Sequence, residues 1–381
     1  MEHASVVVHA DDFRTTLRQA VMRMGGSCNM HAHLDRAHTL SQRYLAHFGM
    51  PPRDAPRAPL QVKQGLVGEL HNGPAYTSED LRSRMRASLD ASIANGVVRL
   101  VTCVDATPDI DLRAIDVALE LKAEYSGQIL FEIVPHPIFG FKPDERFEKT
   151  RWNVFRDACE KCDGVGSLPE RDVRVDSIGH TEHLRRTLLL GKELGKPTYV
   201  HVGQANDPRE RDIFELIDAV KWLDFRAEPY DEPLVWAIHN ISSAGFSESD
   251  FARVLQGHVE QRIGMICCPR AALSMRQNRA QTAPLHNSIA RILEMAFKGI
   301  TIRLGTDNIA DLFVPTSTED VLDQAVFLAD ALRFYDVAVL AKFIAGKRLN
   351  DNDKEVVRQY LAEDLRAYRR ADSNFEFCVP L

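Results

Sequence analysis

CNMHAHLDRAHTL, residues 28–40, closes an apolar lead-in with two imidazoles on alternate residues, His31 and His33, and follows them at once with Asp35 and Arg36. Residues two apart on a β-strand point to the same face. Read as a strand, 27–33 would aim both histidines into one interior at its C-terminal end. The fold turns on whether this strand stands alone or is the first of a set.

It is the first of a set. Short apolar runs recur at 27–33, 99–105, 129–135, 164–168, 197–203, 234–240, 262–268 and 301–307. Several are nearly continuous in Val, Ile, Leu and Cys, the composition of strands buried on both faces. Between them lie helical patterns at about 78–95, 112–125, 144–162, 179–194, 208–223, 248–258, 285–297 and 319–332. Thr77 is placed to cap the first of these, with Asp80 in its opening turn and Gly96 just past its end. Eight strands alternating with eight helices predict an α/β protein, a (β/α)8 TIM barrel. A doubly wound open sheet is the alternative. An extra N-terminal helix, about 12–24, is expected across the barrel base, and extra C-terminal helices after Asp336, including 353–370, outside it. Residues 39–76 read as a long irregular insertion between the first strand and its helix, the place of a lid over a barrel top. With no linker rich in Gly, Ser or Pro, 1–381 reads as one domain.

The bulk properties narrow the function. A net charge of −7 gives no general pull towards nucleic acid or anionic membrane. No apolar run approaches the roughly 20 residues of a spanning helix, and MEHASVVVHADDF lacks the flanks of a signal peptide. Seven scattered cysteines read as reduced thiols of a cytoplasmic protein. The pair Cys159 and Cys162 has no second C-x-x-C to complete a zinc site.

Other strand ends repeat the chemistry of the first. His201 closes PTYVHVG, His239 closes VWAIHN and Asp307 closes TIRLGTD. Barrel active sites are built at such ends. Neutral imidazoles and a carboxylate suit a borderline divalent ion such as zinc, with ligand distances of about 2.0–2.2 Å. An open coordination position then lowers the pKa of a bound water, and a nearby carboxylate can take its proton. His3, His9, His47, His71, His180, His183, His258 and His286 read as ordinary histidines.

The order His-x-His, His, His, Asp resembles the amidohydrolase superfamily of metal-dependent hydrolases, most like cytosine deaminase and adenosine deaminase relatives. HLDRAHT, ASIANGVVRLVTCVDAT, GVGSLPE, YVHVG, AIHN and LGTDN carry the likeness, from about residue 30 to 345. The resemblance implies that His31, His33, His201 and Asp307 are metal ligands. It implies that His239 orients or polarises the attacked group, and that Asp307 is also the base that activates water. Two-metal members use a modified strand-four lysine. VGSLPERDVR has none, which favours one divalent ion, zinc first, with iron or manganese as alternatives. Glu170 is the candidate ligand of a two-metal variant.

Three departures follow. Where family deaminases carry a glutamate after strand five, this chain has Gln204, and an amide cannot shuttle a proton. The relatives' small β-sandwich is not expected here, since about 26 residues precede the first strand and the tail reads as helical. Ile138, Asn308 and Phe313 stand where cytosine-reading residues are found, which argues against cytosine. Candidate substrate contacts are Arg36, His136, Arg270, Asn308 and Phe313, with Asp105 and Arg276 as weaker ones. Arg270 could clamp a carboxylate, or form an ion pair on the barrel rim. The expected activity is hydrolysis of a carbon–nitrogen bond in a small molecule, an N-heterocycle or an amide, with Asp307, His239 and Gln204 at the reacting centre. The alternatives are an isomerase or lyase on the same scaffold, or a metal-holding binding protein that has lost turnover with its glutamate. Homo-oligomerisation is compatible with the reading.

Overall fold

The computed structural model describes residues 10–143, 150–275, 289–370, 372–374 and 376–379. Eight parallel strands follow the predicted runs closely: β1 Ser27–Ala32, β2 Val97–Asp105, β3 Leu130–His136, β4 Val165–Ser167, β5 Thr198–Val202, β6 Val235–His239, β7 Gly264–Cys267 and β8 Ile302–Leu304. Every residue of β5, β6 and β7 is buried, which is why these strands read as apolar runs rather than alternating ones.

The strands form two ladders, β1-β2-β3 and β4-β5-β6-β7-β8, which meet at two seams. At the β3/β4 seam Asp163 does the joining. Its backbone N donates to Ile133 O at 2.9 Å and its carboxylate accepts from Ile133 N at 2.8 Å. Gly166 lets the two strands approach, since a Cβ there would stand 2.2 Å from Pro135 O. At the β8/β1 seam Asp307 N donates to His31 O at 2.8 Å, and Asn29 exchanges two hydrogen bonds with Thr306, at 2.8 and 3.1 Å. Gly305 lies against His31, with a virtual Cβ 2.7 Å from the His31 Cβ. The result is the α/β architecture of a (β/α)8 barrel.

The helices are amphipathic and capped as the sequence suggests. Thr77 accepts from Asp80 N at 3.3 Å at the start of Ser78–Ala94. Arg113–Glu124, His180–Leu194, Glu248–Gln261 and Val321–Leu332 lie within a few residues of expectation. The helix read at 208–223 starts at Asp212, later than expected. Those read at 144–162 and 285–297 appear as Arg151–Lys161 and Ile292–Phe297, their first residues falling partly outside the described ones. Ala10–Arg23 packs beside Val321–Leu332 and Val337–Ile344 in the outer helical layer. Asp351–Tyr368 opens with a capping box between Asn350 and Asp353 and packs on Ile292–Phe297.

The segment 39–76 is more regular than its sequence implies. It holds the helix Leu60–His71 among shorter helical turns. Gly65 and Gly68 weaken its propensity. Its buried face also mixes Lys63, Gln64 and His71 with Val67 and Leu70, so no apolar stripe marks it.

Candidate metal centre

The strand ends gather five donors into one buried cluster. His31, His33, His201, His239 and Asp307 are each at most 5% exposed. Two donor groups come within 4.8 Å internally: His31 with His33 and His201, and His31 with His239 and Asp307. Asp307 Oδ1 stands 3.4 Å from both His31 Nε2 and His33 Nε2, and its Oδ2 stands 3.8 Å from His239 Nε2. Two ligands at about 2.0–2.1 Å from one ion, at the tetrahedral angle, stand about 3.3–3.4 Å apart. The spacing thus fits a shared divalent ion.

Hydrogen bonding supports the same fit. His31 Nε2 is buried with no hydrogen-bond partner, an orphan that a metal would satisfy. His201 Nδ1 lies 3.2 Å from Ser167 O, a bond that places the ring proton there and leaves Nε2 free as a donor. His33 differs. Its Nδ1 meets Arg36 Nη2, and a guanidinium has no lone pair to offer. Nδ1 therefore accepts, and ligation through Nε2 requires the ring to give up its remaining proton or Arg36 to turn aside.

Burial disfavours the charged form of four imidazoles around the cavity. Burial, with help from neighbouring Arg36 and histidines, pushes His33 and His136 well down. Burial also lowers His201, and takes His239 down to about 4 against the opposing charge of Asp307. Burial acts to raise Asp307, but the neighbouring His31, His239 and His201 outweigh it and hold the carboxyl well below its usual range. His239 and Asp307 have φ of 73° and 58°. Left-handed backbone in non-glycine residues is costly and concentrates at functional sites.

Above the cluster lies a cavity of about 610 Å³, walled by strand-end residues on one side and by Leu60, Lys63 and Gln64 of the 39–76 segment on the other. Arg36, His136, Gln204, Asn308 and Phe313, all read from the sequence as site residues, line it. Arg36 is itself buried, 3.7 Å from Asp105 and 5.3 Å from the Phe313 ring centre. Asn308 Nδ2 donates to Asp307 Oδ1 at 2.9 Å. His136 places its ring centre 5.1 Å from that of His33 and 5.0 Å from that of His201.

Arg270 is a correction. The short helix Pro269–Leu273 turns it outward, over the Phe327 ring at 4.0 Å and 3.8 Å from Asp323, so it forms the rim ion pair rather than a cavity contact. Asp105 is also off the cavity wall, buried behind Arg36 and held by Tyr76 at 3.2 Å. Arg276, His3, His9 and His286 lie outside the described residues.

Of the histidines read as ordinary, His71 is more than that. Its Nδ1 donates to Asp109 at 2.7 Å, and its Nε2 faces Asp105 at 3.3 Å. Burial opposes its charge, but the two carboxylates prevail and raise it to about 9. It ends the helix Leu60–His71, so it ties that segment to the strand-two end. Lys63 and Gln64 were not legible as cavity residues. Glu170 also lines the cavity, outside both donor groups.

No family model matches the chain. An uncharacterised protein of Haemophilus influenzae is 28% identical over 287 residues, 75% of this chain and 96% of that protein. A pterin deaminase of Rhizobium rhizogenes is 22% identical over 287 residues, 75% of this chain and 60% of the deaminase. Among solved structures, 5-methylcytosine deaminase from Klebsiella pneumoniae, liganded with 5-fluorocytosine, matches with a TM-score of 0.67 and 21% identity, covering 88% of this chain and 81% of the deaminase. This chain therefore shares the barrel fold of that solved deaminase.

Proposed function

We propose that this chain is a metal-dependent hydrolase that cleaves a carbon–nitrogen bond of a small N-heterocycle and releases ammonia or an amine. The observation that carries the reading is the convergence of His31, His33, His201, His239 and Asp307, from four strand ends, at spacings that suit one divalent ion. The donor set favours zinc, with iron or manganese as alternatives. When bound, such an ion lowers the pKa of a water towards neutrality. Asp307, ionised and beside the site, takes a proton from the attacking water and returns it to the departing nitrogen. His239, neutral, holds the group under attack. Asn308 fixes the Asp307 carboxylate by its 2.9 Å hydrogen bond. Phe313 and Ile138 supply apolar walls for a flat ring, and Arg36 and His136 polar contacts.

The heterocyclic branch rests on the named relatives, a pterin deaminase and a 5-methylcytosine deaminase. In this reading 1–381 works as one barrel unit, with 39–76 as its lid. The partner is a small molecule, with neither nucleic acid nor membrane involved, and self-association is compatible. No described helix is long and apolar enough to cross a membrane. The seven cysteines are unpaired, which suits the cytoplasm.

One observation favours a second reading. Gln204 faces the cavity where deaminases carry their proton-shuttling glutamate, as a metal-holding protein without turnover would have it. Zinc-loaded protein, incubated with pterin, 5-methylcytosine and a panel of aminopyrimidines and aminotriazines, separates the two. Ammonia or amine release, abolished by chelator and restored by zinc, supports the hydrolase. Bound zinc with no product from any panel member overturns it.

A further inference from the structure

Gln204 leaves the heterocycle reaction short of a group. When water adds to a ring carbon, the C=N electron pair moves onto the ring nitrogen, which must gain a proton. A carboxamide can donate a hydrogen bond but is too weak an acid to transfer the proton. Four other carboxyls lie near this side of the barrel. Asp172 is committed to His183 and the Phe141 backbone, Asp212 faces His180, and Glu210 accepts from Ser242. Glu170 is the one on the cavity wall.

Resting on the hydrolase reading, we propose that Glu170 is a catalytic acid and base that protonates the ring nitrogen, from the loop after β4, in place of the carboxyl missing at Gln204. Glu170 is half-buried, and it shares the cavity wall with His201, Gln204, His239 and Asp307. Its Oε1 accepts from Gln64 Nε2 at 2.5 Å. The Gln64 amide is fixed in that sense because Arg171 Nη1 donates to its Oε1 at 2.9 Å. The Gln204 amide stabilises the charged form of the same carboxyl.

The loop that carries Glu170 is anchored from below. Leu168 N donates to His183 Nε2 at 3.0 Å, so His183 carries its proton on Nδ1 and gives it to Asp172 Oδ2 at 2.7 Å. Asp172 in turn accepts from Phe141 N at 3.0 Å. A positioned group needs such support. Amides rather than a cation hold the Glu170 carboxyl, and no lysine or arginine among the described residues pairs with it within 4.0 Å. Burial, the largest influence, raises its pKa despite the two amides, so a proton is kept to higher pH.

The proton count closes. Water gives one proton to Asp307 and its oxygen bonds to the ring carbon, while Glu170 gives its proton to the ring nitrogen. Asp307 then protonates the exocyclic nitrogen, the C–N bond breaks with its electron pair leaving on ammonia, and the new C=O forms as the hydroxyl proton returns to Glu170. The sum is heterocyclic amine plus water to oxo-heterocycle plus ammonia.

Zinc-loaded Glu170→Gln, Glu170→Asp and the double variant Glu170→Gln/Gln204→Glu test this on the same panel, with zinc per chain measured for each. For Glu170→Gln we expect kcat to fall about 10²–10⁴-fold, with KM and zinc content held. Part of the rate should return in the double variant, whose carboxyl sits across the same amide contact. If Glu170→Gln fails to fold, Glu170→Asp decides, because a retracted carboxyl should cut kcat and spare zinc. Unchanged kcat in an active enzyme overturns the role and leaves the hydrolase standing. Loss of one metal equivalent in Glu170→Gln makes Glu170 a ligand, which also overturns it. No product from the unaltered chain overturns both readings together.

Discussion

His71 ties the segment over the cavity to the barrel, and its contribution to stability should depend on pH with a definite sign. Its folded value of about 9 stands above the ordinary imidazole value of 6.5, because Asp105 and Asp109 outweigh the burial that opposes its charge. At about 1.4 kcal/mol per pH unit, that difference corresponds to about 3 kcal/mol. For a group whose folded pKa is raised, the contribution is complete below the unfolded value. It is lost as pH climbs through the folded one. The ion pair should therefore be intact at pH 6 and largely gone by pH 9.5. Urea unfolding of the unaltered chain and of His71→Asn, at half-unit steps from pH 6 to 9.5, isolates this term as the difference between the two curves. The gap should be widest near pH 6 and narrow by about 3 kcal/mol over the range. A gap that stays constant with pH would refute the argument, since it would mean that His71 acts by packing alone.

Three further outcomes are expected. Asp307→Asn should lower turnover about 10²–10⁴-fold and reduce bound zinc, read by assay and elemental analysis; full activity at full zinc would exclude Asp307 as base. Gly305→Ala places a methyl 2.7 Å from the His31 Cβ and 2.8 Å from its carbonyl O. It should cost about 1–3 kcal/mol and weaken zinc binding, whereas wild-type affinity in a calorimetric titration would show that the seam can give. Arg270→Ala should leave kcat and KM unchanged while costing about 0.5–1 kcal/mol of stability, because its guanidinium stacks on Phe327 at 4.0 Å on the rim; a raised KM would return it to the substrate.

The strands and the metal donors were legible for the same reason. A strand buried on both faces admits little but apolar residues, so a histidine at the end of VWAI or PTYV stands out against its run. The helix Leu60–His71 was hidden because its inner face meets a polar cavity, and Gln64 and Lys63 look like surface residues in one dimension. The direction of Arg270 depends on five residues of helix, Pro269–Leu273, too short to carry a period. The meeting of Glu170 with Gln204 joins loops after two different strands, a relation that no local spacing encodes. His71 was undervalued for a similar reason, since Asp105 and Asp109 reach it from the end of another strand.

The junction of β8 with β1 has a mechanical consequence. Asp307 and His31 stand on its opposite sides, where Asp307 N donates to His31 O at 2.8 Å within a lone parallel bridge between Ala32 and Asp307. An ion gripped by both side chains would act as a hoop around the first and last staves, tightening the cylinder where no continuous ladder laces them. Loading with zinc should then slow amide hydrogen exchange along this line more than along the Asp163 join on the far side.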